Sequence, residues 1–330
     1  MRNLPKIELH CHLDGSLRID TAIDLAKKEG IDLESYEFNE VKKLLSIDEE
    51  CSSLDQYLEK FHLPNKLMQS KDNLKRIAFE LMEDGARENI KYMEIRFAPI
   101  LHINKGLSLE EVIEAVIDGI KKAEDIYDIK GNVIISCMRN FDMEHVYASI
   151  KAGEKFIKKG VVGIDLAATE KEDFAYDYIE AIKEAKRCGF RITIHAGETG
   201  FGKNVGQAVK LLEAERIGHG IYIYNDEEAY KIVKEKGTVL EVCPKSNIDT
   251  KAINEYREHP LYNYYKDDIK ITLNTDNRTV SNINLSDEID SVMNAFNLSL
   301  EDYKKIYINS VDAAFCDEET KERLLSYIVK

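Results

Sequence analysis

No stretch of this chain approaches the ~20 consecutive apolar residues that a membrane-crossing helix needs, so a membrane partner is not expected. Positive charge is scarce as well: 46 Lys and Arg face 61 Asp and Glu, a formal net charge of −15. Nucleic-acid binding depends on clustered Lys and Arg that displace counterions, and so acidic a chain repels polyanions. Paired-cysteine motifs are missing. Cys11, Cys51, Cys137, Cys188, Cys243 and Cys316 lie singly without CxxC spacing, which points to reduced structural thiols rather than a disulfide framework or a thiolate zinc site. No Gly/Ser-rich linker, low-complexity tract or internal repeat divides the chain. The amino terminus, MRNLPKIELH, enters an apolar run with no room for a leader peptide, so the expected location is the cytoplasm.

What is present is a long, ordinary globular composition: 330 residues, 44% hydrophobic and 32% charged. That length exceeds an average domain but suits one α/β barrel, for which about 250 residues plus insertions is usual. Short apolar runs recur to the end: IELHCHLDG, YMEIRFAP, NVIISCMR, VVGIDLAA, RITIHAGE, RIGHG, TVLEVCPKSN and IKITLNTDN. Helix-period segments separate them, among them SLEEVIEAVIDGIKKAEDIY with a capping box at Ser108 and Glu111, and DFAYDYIEAIKEAKRCG ending on Gly189. This alternation predicts an α/β fold, a parallel sheet closed into a (β/α)8 TIM barrel. The first and second runs are about eighty residues apart, against roughly thirty to forty for a plain βα unit. TAIDLAKKEG, with Asp20 as its N-cap, and SLDQYLEKFHLPNKLMQ read as helices there. The expectation is a single domain over 1–330 with a helical cap inserted after the first strand, about 18–90, on the catalytic face.

Catalytic groups in such a barrel sit where the strands finish. The runs end in His10, His12 and Asp14; Arg96; Arg139; Asp165 and Glu170; His195 and Glu198; His219; Ser246; and Asp276. Taken singly, each polar tail can be a solvated loop entry, a structural ion pair or a core histidine. An isolated HxH is equally ambiguous, although alternation sends His10 and His12 to one face of their strand. Together the groups say more. His10, His12, His195 and Asp276 offer three nitrogens and one oxygen from the first, fifth and last strands, a set suited to a catalytic zinc that keeps a position for water. Glu198, three residues after His195, is placed to pass a proton to a substrate, and His219 to hold the activated water by hydrogen bond or charge. The fourth strand ends in Ala167 and Ala168 where a two-metal site wants a bridging group, so one metal ion is expected.

The motifs KIELHCHLDGS, SLDQYLEKF, YMEIRFAP, VVGIDLAATE, HAGE, RIGHG, EVCPKSN and LNTDN, in this order, resemble the adenosine deaminase family of metal-dependent amidohydrolases over nearly the whole chain. The resemblance implies a barrel enzyme with one Zn²⁺ per subunit that converts adenosine and deoxyadenosine to inosine and deoxyinosine with release of ammonia. His10, His12, His195 and Asp276 match its zinc ligands. Glu198 matches the residue that protonates purine N1, His219 the one that orients the attacking hydroxide, and Asp276 the acceptor of the water's proton. Substrate contacts match at His12, Asp14 toward the ribose, Leu54, Tyr57, Leu58 and Phe61 over the purine, Ala168 toward N3 and Asn277 toward N7; Ser246 is a weaker candidate near the pocket.

Two positions depart from the family pattern. Ala168 stands where many members have glycine; its N–H remains, but it lacks glycine's conformational freedom. Asn277 stands where animal relatives have a second aspartate. Purine N7 only accepts hydrogen bonds, and an asparagine amide donates to it without any change of protonation. The rival substrates are adenine or a 6-amino nucleoside with an altered sugar. The rival class is a non-catalytic nucleoside-binding protein, against which stand the complete ligand set, Glu198 and His219.

Overall fold

The computed structural model describes residues 2–47 and 54–328, with side chains of the second stretch described from Gln56 onward. Eight parallel strands follow one another in chain order: β1 Lys6–His12, β2 Ile90–Phe97, β3 Lys130–Met138, β4 Val161–Ala167, β5 Arg191–Ala196, β6 Arg216–His219, β7 Val239–Val242 and β8 Ile271–Leu273. Just past β8 the chain returns to β1, where Cys11 pairs with Asp276, His12 N–H donates to Asp276 O at 2.7 Å and Asp276 N–H to His10 O at 2.9 Å. The (β/α)8 expectation holds, and every apolar run named above contributes its strand.

Among the described residues five α-helices lie between β1 and β2: α1 Ile19–Glu29, α2 Phe38–Leu45, α3 Leu54–Glu59, α4 His62–Leu67 and α5 Lys71–Arg87. Single helices follow β2 to β6, namely α6 Leu109–Glu124, α7 Met143–Glu154, α8 Ala175–Arg187, α9 Gly202–Leu211 and α10 Glu227–Lys236. After β7 come α11 Pro244–Asp249 and α12 Leu261–Lys266, and after β8 come α13 Leu285–Phe296, α14 Leu300–Ala313 and α15 Glu318–Ile328. Among the described residues no helix is long and apolar enough to cross a membrane.

Local chemistry sets the helix limits. Ser108 and Glu111 form the expected capping box of α6. Gly189, at φ +94°, closes α8 by donating its N–H to Lys186 O. Asp20 is not an N-cap: α1 begins at Ile19 behind Arg18, so Asp20 lies in the first turn, where a carboxylate still meets the positive end of the helix dipole. The segment read as one helix around Tyr57 is two. Pro64 has no N–H and its ring obstructs the carbonyl four residues back, so it fits only in the first turn of a new helix, α4.

The barrel interior is polar. Along β1, Ile7, Leu9 and Cys11 join the hydrophobic layer under the helices, while Glu8 and His10, equally buried, alternate with them and face inward. Buried ions from different strands meet inside. Arg216 of β6 pairs with Glu94 of β2 and with Glu241 of β7, its Nε 2.6 Å from Glu241 Oε1. Arg96 of β2 reaches Glu241 at 2.7 Å and Asp165 of β4 at 3.3 Å. The structural ion-pair reading of Arg96 is the one the fold adopts. Strand pairing between β4 and β5 stops at Ile164 and Ile192. Beyond it the Asp165 carboxylate accepts the His195 N–H at 3.2 Å, so a side chain takes over from the ladder as the site begins. Five cysteines are free thiols and no disulfide occurs among the described residues; Cys51 lies outside them.

Candidate active site

His10 and His12 leave β1 on its inner face, and each ring is oriented by what its neighbours offer. His10 Nδ1 lies 2.9 Å from Glu241 Oε2, and His195 Nδ1 lies 2.9 Å from Asp165 Oδ1. A carboxylate accepts only, so both Nδ1 atoms carry the proton and both Nε2 lone pairs turn inward. Asp276 is anchored through Oδ2, which accepts from Ser246 Oγ at 2.6 Å, leaving Oδ1 3.3 Å from both His10 Nε2 and His12 Nε2. His12 Nε2 and His195 Nε2 approach each other to 3.3 Å. His10 Nε2 is buried and makes no hydrogen bond.

Three ring nitrogens and a carboxylate oxygen thus converge, which is the donor set a borderline divalent cation requires. Protonation states agree for His10, His12 and Asp276, whereas in His195 burial acts downward but the charge and hydrogen bond of Asp165 outweigh it and raise the ring. Burial, with the charges of Arg96 and His195, pushes His10 down to about 4. For Asp276, burial acts upward but is outweighed by the histidines around it, His10 first and then His12 and His219, which hold it well below the usual range. Neutral imidazoles and an ionised carboxylate are the forms that coordinate metal. The mutually close donors within 4.8 Å are His10, His195, His219 and Asp276, and His12 joins them by its two 3.3 Å approaches. Five groups therefore compete for the four expected ligand places, with His219 as the addition. His219 differs in its partners: Nδ1 lies 3.3 Å from Asn247 Nδ2, and Nε2 lies 3.6 Å from Glu198 Oε1.

His12, His195, His219, Asp276 and Glu198 open onto a cavity of about 290 Å³ lined also by Asp14, Tyr57, Leu58, Phe61, Ala168 and Asn277. Asp14, in the 3-10 turn after β1, is raised to about 6 by burial, and its Oδ1 has no hydrogen-bond partner. Leu54 lies outside the residues whose side chains are described. Tyr57 is buried and its hydroxyl meets Ser281 Oγ at 3.0 Å, tying α3 to the segment after β8. Ala168 holds φ +73°, a left-handed conformation that glycine enters freely and alanine does not. Asn277 Oδ1 is buried without a hydrogen bond against Gly15, where a Cβ would stand 1.8 Å from it. Ser246 contributes as the anchor of Asp276 rather than as a cavity wall.

Several supporting residues escaped sequence reasoning. The Glu170 carboxylate, named above only as a strand tail, accepts from Gly197 N, Glu198 N, Thr199 N, Thr199 Oγ1 and Asn204 Nδ2 at 2.8 to 3.2 Å, binding the loop that carries Glu198. Arg139 bridges the strand ends through the carbonyls of Ala168 and His195. Asn247 and His259 lie behind His219, and Gly218 leaves space for the His10 ring. Asn247, Glu170, Arg139 and Gly218 carried a partial signal, their places in or at the ends of the strand motifs EVCPKSN, VVGIDLAATE, NVIISCMR and RIGHG, but their partners depend on distant pairings, and His259 carried none.

The family model described as "Adenosine deaminase" matches residues 5–330. An adenosine deaminase of Clostridium perfringens is 63% identical over 328 residues, covering 99% of both chains. Among solved structures, an amidohydrolase from Burkhoderia ambifaria with bound Zn superposes with a TM-score of 0.89 at 28% identity, covering 99% of this chain and 90% of that one. The N6-methyl-AMP deaminase of Arabidopsis thaliana gives 0.87 at 29% identity, covering 99% and 97%.

Proposed function

The chain belongs to the adenosine deaminase family, and from that premise we propose that it hydrolyses adenosine and deoxyadenosine at C6, releasing ammonia and leaving inosine and deoxyinosine, with one zinc ion per subunit. His10, His12, His195 and Asp276 hold the zinc. The observation that carries this reading is the buried His10 Nε2, free of any hydrogen bond and facing Asp276 Oδ1 at 3.3 Å. When bound, zinc supplies Lewis-acid activation of water near neutral pH.

The protein's own groups do the rest. Glu198, at the cavity wall, gives a proton to purine N1 as water adds at C6, so that negative charge does not build on the ring. His219 donates a hydrogen bond to the attacking oxygen, and Asp276 takes its proton. Asp14 binds the ribose, where its unpartnered oxygen meets a hydroxyl. Tyr57, Leu58 and Phe61 exclude water over the base. His12 also borders the substrate, Ala168 N–H faces N3 and the Asn277 amide donates to N7. Residues 1–330 act as one domain, with the helices after β1 as its cap. Among the described residues the cavity lining holds no Lys or Arg and includes Asp14, Glu198 and Asp276, which favours a nucleoside over a phosphorylated substrate.

The test is Glu198→Gln with adenosine and adenine as alternative substrates. The variant should retain zinc and lose on the order of 10²–10⁴ in kcat, the contribution typical of a positioned acid. Near-normal turnover removes Glu198 from the acid's role, and faster ammonia release from adenine than from adenosine overturns the substrate.

A further inference from the structure

His219 has two ring nitrogens, and what it does at the site depends on which of them holds the proton. A chain of hydrogen bonds behind it has only one consistent direction. The Leu261 N–H donates to His259 Nδ1 at 3.0 Å. A peptide N–H cannot do otherwise, so His259 Nδ1 is unprotonated and the neutral ring carries its proton on Nε2. His259 is buried, and burial lowers it to about 3, which keeps it neutral. Its Nε2–H meets Asn247 Oδ1 at 3.2 Å. The reversed amide would bring two donors face to face, so the Asn247 orientation follows from the network. Asn247, fully buried, then presents Nδ2–H to His219 Nδ1 at 3.3 Å. The His219 Nδ1 lone pair is therefore committed, and the proton lies on Nε2, on the side where Glu198 Oε1 stands 3.6 Å away.

We propose that Asn247 and His259 are positioning residues that fix His219 as a neutral Nε2–H donor aimed into the cavity. Two consequences follow. A nitrogen that carries hydrogen has no lone pair for a cation, so His219 leaves the ligand set and the five converging groups reduce to His10, His12, His195 and Asp276. An imidazolium is disfavoured as well, because its second proton would point at the Asn247 amide hydrogens. Between charge and hydrogen bond, His219 acts by hydrogen bond. The assignment of the proton rests on the directions above; its value to catalysis rests on the role given to His219 under the proposed function.

The experiment is nitrogen-15 NMR of the His219 ring in the zinc-loaded enzyme, with kinetics and zinc content of four proteins: wild type, Asn247→Asp, His259→Gln and His259→Leu. Wild type should show a protonated Nε2 and a bare Nδ1. Asn247→Asp places an acceptor where the donor was and should move a proton onto Nδ1. It should retain zinc and keep KM within about threefold, while kcat falls on the order of 10²–10⁴ as expected for a mispositioned donor. His259→Gln keeps an N–H facing Asn247 and should retain most of the wild-type kcat, whereas His259→Leu should lose it; both forfeit the Leu261 bond, so their difference isolates the relay. If Asn247→Asp does not fold, the His259 pair carries the same test. A proton on Nδ1 in the wild type, or equal kcat in the two His259 variants, overturns the proposal. A proton that moves in Asn247→Asp without loss of kcat upholds the relay and overturns the catalytic role given to His219.

Discussion

Gly218 is the residue through which the metal set can be disturbed without touching a ligand. It lies in β6, next to β5 with its His195 and facing the His10 ring of β1 inside the barrel, and a methyl group added there would stand 2.8 Å from His10 Cε1, 3.3 Å from His10 Nδ1 and 3.3 Å from the His195 Cα. Carbon atoms settle at about 3.5–4.0 Å, so the ring must retreat by about 0.7 Å or more. It has little freedom to do so, being wholly buried with Nδ1 held at 2.9 Å by Glu241. Relief requires breaking that bond or drawing Nε2 out of the convergence. Overpacking of this kind costs about 1–3 kcal/mol. Loss of a bond that orients a metal ligand costs about 10–100-fold in affinity, which at ~1.4 kcal/mol per tenfold is the same range. Gly218 lies outside the left-handed backbone region, so alanine adds no strain of its own. Gly218→Ala should therefore surrender zinc to about 10–100-fold less chelator than wild type. Its melting temperature with zinc should fall towards that of its zinc-free form. Wild-type zinc retention with wild-type kcat would refute the inference that Gly218 is there to admit the His10 ring.

Three other outcomes follow from the same structure. Ala168→Gly removes a left-handed alanine costing about 1–2 kcal/mol; the melting point should rise by a few degrees and KM for adenosine should fall, and no change in either argues against strain at this position. Glu170→Gln leaves two or three of five converging donors facing an amide NH2, so the loop bearing Glu198 should shift and kcat fall by up to about 10²-fold with zinc retained; an unaltered kcat in a folded variant removes Glu170 from any positioning role. Glu288 is raised by burial from 4.5 to about 7. Between those values the folded state holds a proton that the unfolded chain has released. Stability from this group is therefore intact below pH 4.5 and lost as pH rises to about 7, a difference on the order of 3 kcal/mol. Denaturant titrations at pH 5 and pH 8 should show the fall in wild type and a much smaller one in Glu288→Gln; equal slopes contradict the burial cause.

The strands were legible because barrel geometry leaves a local imprint, an apolar run of a few residues closed by a turn. The ligand candidates were legible because their chemistry is rare at strand ends and the motifs carrying them are short and contiguous. Pro64 could have revealed the break between α3 and α4, since its cost inside a helix is local. Other features could not be read this way. Glu170 gathers donors from a loop and the first turn of α9, 27 to 34 residues away, and the His259 ring matters only because Asn247 lies within 3.2 Å of it. Nothing in the linear pattern distinguishes such a histidine from one packed in a core. Ala168 was suspect by comparison with glycine, but the strain became visible only with φ +73°.

The polar filling of the barrel follows from the same requirement for orientation. Arg96, Glu94, Asp165, Glu241 and Arg216 are at most 1% exposed, and each buried ion forfeits several kcal/mol of hydration. Barrels of this kind ordinarily fill with branched aliphatic side chains, which would serve stability at least as well. Aliphatic filling would fail at one point. Glu241 Oε2 and Asp165 are what hold the Nδ1 protons of His10 and His195, and without them each ring is free to exchange tautomers and turn its lone pair away from the site. Once two carboxylates are buried for that purpose, unpaired charge becomes the larger cost, and Arg96 between them meets it by binding Glu241 and Asp165 together. Arg216 repeats the arrangement one layer lower, taking the second oxygen of Glu241 and passing the balance to Glu94. The charged interior is thus a consequence of imidazole geometry at the strand ends, propagated downward through Arg96, Glu241 and Arg216 to Glu94.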